Sequence, residues 1–324
     1  MSSALITGIS GFIGSNLGIR LVKNGWNITG TYRNPKRLHR ISEVSDQISL
    51  VKDKHGGFPT IKRILIKKDL DVIFHFAAQT SHIFSLNNPL KDLFNNVHPI
   101  VELLNLIKDI SEKKRPYIVF PSSKGVIGIP KYLPVDEKHP CIPEDPYSLN
   151  KWYCEHLLDL YSRKFGISST ALRLTNVYGP RQQITTFKKG FINYFIGLGL
   201  QNKEIEIFGE GKQKRDISYI SDIIDAFELA GEKKLPDSNV IFLGTGVGVS
   251  IKNIAAYISE LTGTSIIFKD FPPDFRKIEI GDFIVNNSEA NRLLSWRPKT
   301  SWNKGLLKTT DFYRKYYDSY ISEI

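Results

Sequence analysis

The chain has 324 residues, 41% of them apolar, which is enough to bury a large core in one large domain or two joined ones. Its 44 basic and 33 acidic side chains give a net charge of +11, but the basic residues are scattered and form no nucleic-acid-binding motif, so an anionic small molecule is the expected partner. No run approaches the roughly 18 consecutive apolar residues of a membrane span, and no cleavable signal precedes the first strand, which predicts a cytoplasmic protein with no membrane partner.

Short β-rich runs alternate with helical patterns through the first half of the chain. Runs such as "DVIFHFAA" and "YIVFPSS" are almost continuously apolar, which is typical of parallel strands buried on both faces. The alternation predicts an α/β fold, a doubly wound parallel sheet of the Rossmann type. After "NVYGPRQQ" the pattern loosens. We therefore predict a dinucleotide-binding domain over 1–180 and a smaller α/β substrate domain over 181–324, with a segment at about 216–248 crossing back.

The first strand leads into a glycine-rich loop, "LITGISGFIGSNL". Gly8, Gly11 and Gly14 lie between a predicted strand and a predicted helix, and Phe12 and Ile13 lie among them. Without a Cβ at these positions the backbone can turn sharply and approach a pyrophosphate, while the helix N-terminus attracts the anion. The loop predicts a dinucleotide site, although its GxxGxxG spacing is one residue wider at the first gap than the general fingerprint.

The end of the second strand indicates which dinucleotide binds. An NAD site normally carries an acid there for the ribose 2′-hydroxyl, whereas this chain has Tyr32 near that place and Arg33 beside it. A guanidinium can pair with a 2′-phosphate. The cofactor is therefore expected to be NAD or NADP, with NADP favoured; the alternative is that Arg33 is a solvated loop cation.

The stretch "YSLNK" places Tyr147 and Lys151 four residues apart at the start of a predicted helix. Residues at this spacing share one helix face. An ammonium roughly 5 Å from the phenol would lower the tyrosine pKa by about two units, towards the range useful for acid–base catalysis. The upstream strand "YIVFPSS" ends in serines at the edge where ligands bind parallel sheets. Serine, tyrosine and lysine together predict hydride transfer at a carbinol carbon.

The chain contains two cysteines, Cys141 and Cys154. Two cysteines cannot build a disulfide framework, and Cys154 falls inside a helical pattern. Neither a redox site nor a metal site is predicted.

Ordered motifs over nearly the whole chain resemble the extended short-chain dehydrogenase/reductase family, in its nucleotide-sugar epimerase/dehydratase branch. Beyond the glycine loop and YxxxK they include "HFAAQTS", "LRLTNVYGPRQ" and "GEGKQKRDISYISDIIDA". The resemblance implies that Ser123 is the catalytic serine, that Tyr147 is the acid–base, and that Lys151 holds the cofactor ribose. It implies further cofactor contacts at Asp53, Ala77, Ala78 and Asn96. It implies contacts to a nucleotide-diphosphate sugar at Gln79, Ser123, Asn176, Arg215 and Arg276.

Departures from the family pattern narrow the expected chemistry. The resemblance places an Asp-Glu pair after the catalytic residue in sugar 4,6-dehydratases, and this chain has Lys124 and Gly125 there, so a 4,6-dehydratase is not expected. Ile127 replaces the usual tyrosine of VYG. Phe271 stands where an arginine often belongs to the phosphate-binding pattern.

Three functions are compatible with these motifs. The first is a 4-epimerase, which oxidises the sugar at C4, lets the keto intermediate rotate and reduces it from the other face. The second is an NADPH-dependent 4-ketoreductase, which the missing second-strand acid favours. The third is a non-catalytic dinucleotide-binding sensor or scaffold, although such relatives typically lose the tyrosine or lysine. We favour the epimerase, because it is the more frequent function in the family.

Two helical segments, 97–114 and 147–166, resemble the helices that pair across the family's dimer as a four-helix bundle. Each must also cover the sheet, so exposed apolar residues on a second face would be the sign of a dimer. We predict a homodimer.

Overall fold

A computed structural model describes residues 2–53, 58–276 and 279–321. Its strands are β1 (Ser3–Thr7), β2 (Asn27–Tyr32), β3 (Ile48–Lys52), β4 (Val72–His75), β5 (Tyr117–Ser123), β6 (Ser169–Leu174), β7 (Asn176–Tyr178), β8 (Ile205–Phe208), β9 (Lys214–Tyr219), β10 (Ser238–Leu243), β11 (Gly248–Ser250) and β12 (Ile266–Lys269). Its α-helices are α1 (Phe12–Lys23), α2 (Phe58–Lys67), α3 (His82–Asn87), α4 (Pro89–Asn96), α5 (His98–Lys108), α6 (Pro146–Phe165), α7 (Phe191–Leu200), α8 (Ile220–Lys233), α9 (Ile251–Thr262), α10 (Pro273–Arg276), α11 (Ser288–Leu294) and α12 (Trp302–Ile321).

The main sheet contains seven strands within these described ranges, in the order β10-β6-β5-β4-β1-β2-β3. Every neighbouring pair is parallel. Parallel neighbours need crossover connections, which the intervening helices supply. The predicted doubly wound parallel sheet of the Rossmann type is confirmed.

Side chains of the central strands alternate between two apolar cores, one on each face of the sheet. Ile6 and Phe74 point into one cluster, whereas Leu5, Ile73 and Phe120 point into the other. All five are almost completely buried. Burial on both faces explains why these strands read as continuous apolar runs in the sequence.

The second half of the chain builds two small sheets and also contributes to the main one. In the part of the chain that is described, β11, β9 and β7 form a three-stranded sheet, and β12 pairs with β8. β10 lies at the edge of the main sheet beside β6, and α8 packs against α1. The division near residue 180 stays a prediction.

None of the helices in the described ranges has both the length and the apolar composition needed to cross a bilayer.

Candidate functional site

The carboxyl ends of five neighbouring strands meet at one edge of the main sheet. Gly8 follows β1, Tyr32 ends β2, Asp53 follows β3, Ala77 comes just after β4, and Ser123 ends β5. Ligands of open parallel sheets bind outside this edge. The topology therefore brings residues from distant parts of the sequence to one face of the molecule.

The glycine loop forms a cradle that a side chain would fill. Gly8 has a φ of +71°, and a Cβ there would lie 3.0 Å from the backbone nitrogen of Ala77. A Cβ on Gly14 would lie 2.5 Å from the carbonyl oxygen of Gly8. Helix α1 begins at Phe12, and its N-cap, Gly11, has no side chain to cap the first N–H groups, which leaves them for a phosphate. The loop fits a dinucleotide cofactor.

Four basic side chains lie close together beyond the end of β2. Desolvation and then the positive charges of Arg37, Arg40 and Arg33 lower the pKa of Lys189. Arg40 also reaches the glycine loop, because its Nη1 donates a hydrogen bond of 3.4 Å to the carbonyl oxygen of Ser10. The sequence indicated Arg33; the approach of Lys189, about 150 residues later, needed the fold.

Asp53, Ala77 and Asn96 occupy positions along the same edge. The Asp53 backbone N–H donates to the Tyr32 carbonyl oxygen at 2.8 Å, which joins the ends of β3 and β2. The Ala77 N–H donates to the Thr7 hydroxyl at 3.1 Å, while Ala78 beside it is half-buried. Asn96 is buried, and its Nδ2 has no hydrogen-bond partner among the described residues. Their cofactor contacts stay predictions.

Gln79 makes its side-chain hydrogen bonds within the protein. Its Nε2 donates to Asp92 Oδ1 at 2.6 Å and to the Ser81 carbonyl oxygen at 2.9 Å, and its Oε1 accepts from the Ser81 N–H. Its backbone N–H donates to Asn96 Oδ1 at 3.0 Å. Gln79 therefore braces the loop after β4, and the substrate contact assigned to it stays a prediction.

Asp145 and Pro146 set the N-terminus of helix α6. Asp145 is the N-cap, with backbone in the extended region, and its carboxylate accepts a 2.9 Å hydrogen bond from the Ser148 N–H. Pro146 occupies the first helical position, where a missing N–H costs nothing. Tyr147 is thereby fixed in the first turn and Lys151 one turn later on the same face.

Ser123, Tyr147 and Lys151 lie together at the carboxyl end of β5. The Ser123 side chain lies beside the Tyr147 hydroxyl, where its dipole favours the phenolate. Lys151 Nζ donates to the Pro121 carbonyl oxygen at 2.9 Å and lies 5.8 Å from the centre of the Tyr147 ring. Tyr147 is 8% exposed and Lys151 is 3% exposed. This geometry suits a hydroxyl pair that holds one substrate oxygen beside a fixed positive charge.

The expected lowering of the Tyr147 pKa by Lys151 is wrong for the protein's own groups. Burial raises the pKa of Tyr147, and the negative charges of Asp145 and Asp92 raise it further, against the opposing effect of the Ser123 side chain. Burial also lowers the pKa of Lys151 to about 8. The spacing of Tyr147 and Lys151 could be predicted from the sequence, whereas the desolvation that outweighs the lysine charge depends on tertiary packing.

His82 is a neighbour of Tyr147 that sequence reasoning missed. Its Nδ1 lies 2.7 Å from Asp145 Oδ2. Its ring meets the Tyr147 ring edge-on, with the ring centroids 4.8 Å apart. The two partners are 63 and 65 residues away in sequence, so no local pattern connects them. His82 packs the tyrosine ring in place while Asp145 fixes the imidazole.

A buried ion pair supports the end of β5. Arg173 donates to both carboxylate oxygens of Glu155, at 3.0 and 2.7 Å, and Ser122 donates to the same carboxylate at 2.5 Å. The side chains of Arg173 and Glu155 are 6% and 4% exposed. The pair ties α6 to β5 and β6 directly beneath the strand end that carries Ser123.

The predicted substrate residues Asn176 and Arg215 lie on neighbouring strands of the small sheet. β7 pairs with β9 so that Asn176 is opposite Ile217. The Asn176 Oδ1 is buried and has no hydrogen-bond partner in the described ranges. Arg215 Nη2 forms a 2.5 Å ion pair with Glu279. The structure thus brings both residues to adjacent strands of the small sheet, while their contact with a diphosphate stays a prediction.

The remaining predicted positions lie at the rim. Arg276 ends α10 and is exposed. Phe271 packs its ring against Phe208, with centroids 6.0 Å apart. Ile127 is fully buried, so the side chain that replaces the tyrosine of VYG has become part of the core.

A parallel sheet with a glycine cradle at its carboxyl edge is the architecture of dinucleotide-binding enzymes. Residues 5–309 match the family model described as GDP-mannose 4,6 dehydratase. The chain belongs to the short-chain dehydrogenase/reductase family of NAD-dependent epimerases and dehydratases, and the predicted family is confirmed.

Curated and solved relatives cover nearly the whole chain. A putative UDP-glucose 4-epimerase from Methanocaldococcus jannaschii is 31% identical over 95% of this chain and 97% of its own. The structure of a UDP-glucose 4-epimerase with UDP-glucose from Thermotoga maritima is 28% identical, with a TM-score of 0.87 over 97% of this chain and 99% of its own. The structure of MoeE5 in complex with UDP-glucose and NAD is 26% identical, with a TM-score of 0.83 over 98% and 100%.

Proposed function

We propose that the protein is a nucleotide-sugar 4-epimerase that oxidises and re-reduces its substrate at C4. The observation that carries the proposal is the approach of Ser123 to Tyr147, with Lys151 one turn further along the same helix. Relatives named as 4-epimerases support the proposed activity. Because these relatives are named as enzymes, they argue against a non-catalytic sensor or scaffold.

The two residues that follow Ser123 argue against the dehydratase alternative. Lys124 and Gly125 follow Ser123 directly, in the places where the resemblance puts an acid and a base in 4,6-dehydratases. Glycine has no group that could give or take a proton, so the acid–base pair of that pattern is absent from this chain. We therefore propose an epimerase, although the matching family model is described by a dehydratase.

The proposed chemistry assigns one role to each catalytic side chain. Ser123 holds the C4 oxygen of the sugar, Tyr147 takes the proton from that oxygen and later returns it, and Lys151 orients the cofactor ribose. A bound nicotinamide cofactor would accept and return the hydride and, when oxidised, would add a positive charge to the site. Because burial holds the proton on Tyr147, the residue needs that added charge to accept a proton.

We propose a UDP-hexose as the substrate class. Two solved relatives contain UDP-glucose, and one curated relative is named for UDP-glucose. In this chain the buried Asn176 Oδ1 and the Arg215 guanidinium lie on adjacent strands of the small sheet, and both could recognise a polar sugar nucleotide.

The test is interconversion of UDP-glucose and UDP-galactose by the purified protein, followed by nuclear magnetic resonance. Tyr147→Phe should lower kcat by about 10²–10⁴-fold, the range typical of lost acid–base catalysis. Tyr316→Phe, at a tyrosine on α12 that is 43% exposed, is the control and should retain activity. Equal activity of the two variants would refute the assignment of Tyr147.

The cofactor preference remains open to a direct measurement. Arg33, Arg37, Arg40 and Lys189 support NADP, since their combined charge suits a 2′-phosphate. The same cluster favours the second candidate function, an NADPH-dependent 4-ketoreductase. Mass spectrometry of the nucleotide released on denaturation distinguishes the two. Co-purifying NAD near one per chain would support the epimerase and refute the NADP preference, whereas an empty site that binds NADPH more tightly than NADH would support the reductase.

We propose that the protein is a homodimer formed through α6 and α4. Exposed apolar side chains lie on both helices: Leu90, Leu93, Phe94, Leu149, Tyr153 and Leu160. The apolar residues of α5, which lies within the predicted segment 97–114, are buried or half-buried, so α4 is the better partner for α6.

Light scattering at micromolar concentration tests the dimer. Phe94→Glu, at a side chain 57% exposed on α4, should shift the protein towards monomer because it places a charge in the apolar face. Leu307→Glu, at an exposed leucine on α12, is the control. Wild-type protein that is monomeric under these conditions would contradict the proposal.

A further inference from the structure

An additional cation lies between the catalytic serine and the small sheet. Lys124 directly follows Ser123 and begins a short 3₁₀ helix at the end of β5. Its Nζ lies 4.7 Å from the centre of the Phe283 ring. Phe283 is fully buried and pairs with Arg215 in a β-bridge. The Lys124 side chain therefore extends from the end of β5 towards the bridge between Phe283 and Arg215 of β9.

The protein leaves this ammonium without an acceptor in the described ranges. The nearby Asp216 carboxylate accepts four hydrogen bonds from elsewhere, two from Thr245 and one each from the N–H groups of Gly246 and Val285. The other nearby carboxylate, Glu279, is paired with Arg215. Among the described residues, Lys124 forms no hydrogen bond or ion pair.

The electrostatic consequence is an unfavourable pair of like charges. Burial and then the positive charge of Arg215 lower the pKa of Lys124 to about 7, against the smaller effects of Glu279 and Asp216. A partly buried cation beside another cation is stabilised when an anion binds between or beside them. Because Glu279 is already paired with Arg215, the Lys124 ammonium is the charge that an added anionic group would stabilise here.

The position of Lys124 indicates which part of a substrate carries that group. Ser123 is assigned to the oxygen on C4, and Lys124 is the next residue along the chain. In a hexuronic acid the carboxylate is attached to C5, the neighbour of C4. Hydroxyls of a neutral sugar offer no negative charge, whereas a carboxylate would form a charge-assisted hydrogen bond with the ammonium.

We propose that Lys124 is a specificity-determining residue that binds the carboxylate of an acidic sugar, so that the preferred substrate is a nucleotide-linked uronic acid. The inference rests on the proposed function and narrows its substrate class. The diphosphate of the same substrate is the other source of negative charge, and the test below separates the two.

The experiment compares UDP-glucuronate with UDP-glucose on protein loaded with NAD. Equilibrium binding is measured by titration calorimetry, and kcat/KM for epimerisation by nuclear magnetic resonance. Wild-type protein should bind UDP-glucuronate at least about tenfold more tightly than UDP-glucose. Lys124→Met, which keeps most of the length of the side chain but removes its charge, should weaken binding of UDP-glucuronate by about ten- to hundredfold and thereby abolish the preference. Lys113→Met, at an exposed lysine before β5, should keep it.

Each other outcome overturns the inference in a recognisable way. An equal loss of affinity for both nucleotides in Lys124→Met would assign Lys124 to the diphosphate. A wild-type preference for UDP-glucose would refute the proposed specificity for an acidic sugar, and this comparison needs no variant. Binding of UDP-glucuronate with the expected preference but no conversion would refute the epimerase and leave the specificity inference supported. Binding of neither nucleotide would overturn both.

Discussion

The close packing of the glycine loop predicts that Gly14→Ala weakens cofactor binding. A Cβ at this position would lie 2.5 Å from the Gly8 carbonyl oxygen. Carbon and oxygen do not approach within about 3 Å without strain, so the loop must move by about half an ångström. Backbone groups that move by that distance no longer meet a pyrophosphate correctly. Losing one hydrogen bond to a charged group costs about 1.5–3 kcal/mol, or about ten- to hundredfold in affinity.

The assay is a titration of the cofactor into the nucleotide-free protein, with the melting temperature recorded in parallel. Gly18→Ala is the matched control, because it lies one turn further along α1 and its new Cβ would meet the end of the flexible Ile9 side chain at 3.1 Å. Its affinity for the cofactor should be that of the wild type. If Gly14→Ala bound the cofactor as tightly as Gly18→Ala, the reasoning from the cradle would be refuted.

Three further predictions concern charge. Glu155→Gln leaves the buried Arg173 without its carboxylate and should lower the free energy of unfolding by about 3–5 kcal/mol in denaturant titrations. Asp159→Asn, at an exposed ion pair on the same helix, should lower it by less than about 1 kcal/mol. Similar losses for the two variants would refute the burial argument. Arg33→Ala should weaken NADP binding by about tenfold and leave NAD binding unchanged; equal effects on both would assign Arg33 to solvent. The pKa of Lys124 is about 7 in the folded protein and near 10.5 in the unfolded chain, so the unfolded chain binds more protons between these pH values. The free energy of unfolding of the wild type should therefore rise from pH 7 to 10 relative to that of Lys124→Met. Parallel pH profiles of the two proteins would contradict this prediction.

The parts of the site that could be read from the sequence are those encoded by neighbouring residues. The spacing of Gly8, Gly11 and Gly14 after an apolar strand predicted the loop between β1 and α1, because each glycine serves a local turn or close approach. Likewise, the helical repeat places Tyr147 and Lys151 on one face wherever the helix lies. Both features follow from geometry within a few residues.

The parts that could not be read depend on residues brought together by the fold. His82 reaches Asp145 across 63 residues, and Lys189 reaches the arginines after β2 from the second half of the chain. The predicted direction of the Tyr147 pKa shift was wrong for the same reason, since the burial of Tyr147 depends on packing between separate elements. Arg215 was assigned to the substrate from its motif, while its ion pair with Glu279 emerged from the fold.

The most direct test of the central claim uses a UDP-hexose labelled with deuterium at C4. An epimerase that removes and returns the hydride within one active site should give the C4 epimer with the label still at C4, with no net change in the oxidation state of the cofactor. Transfer of the label to free cofactor, or a product that has lost water, would contradict the account and indicate a reductase or a dehydratase instead.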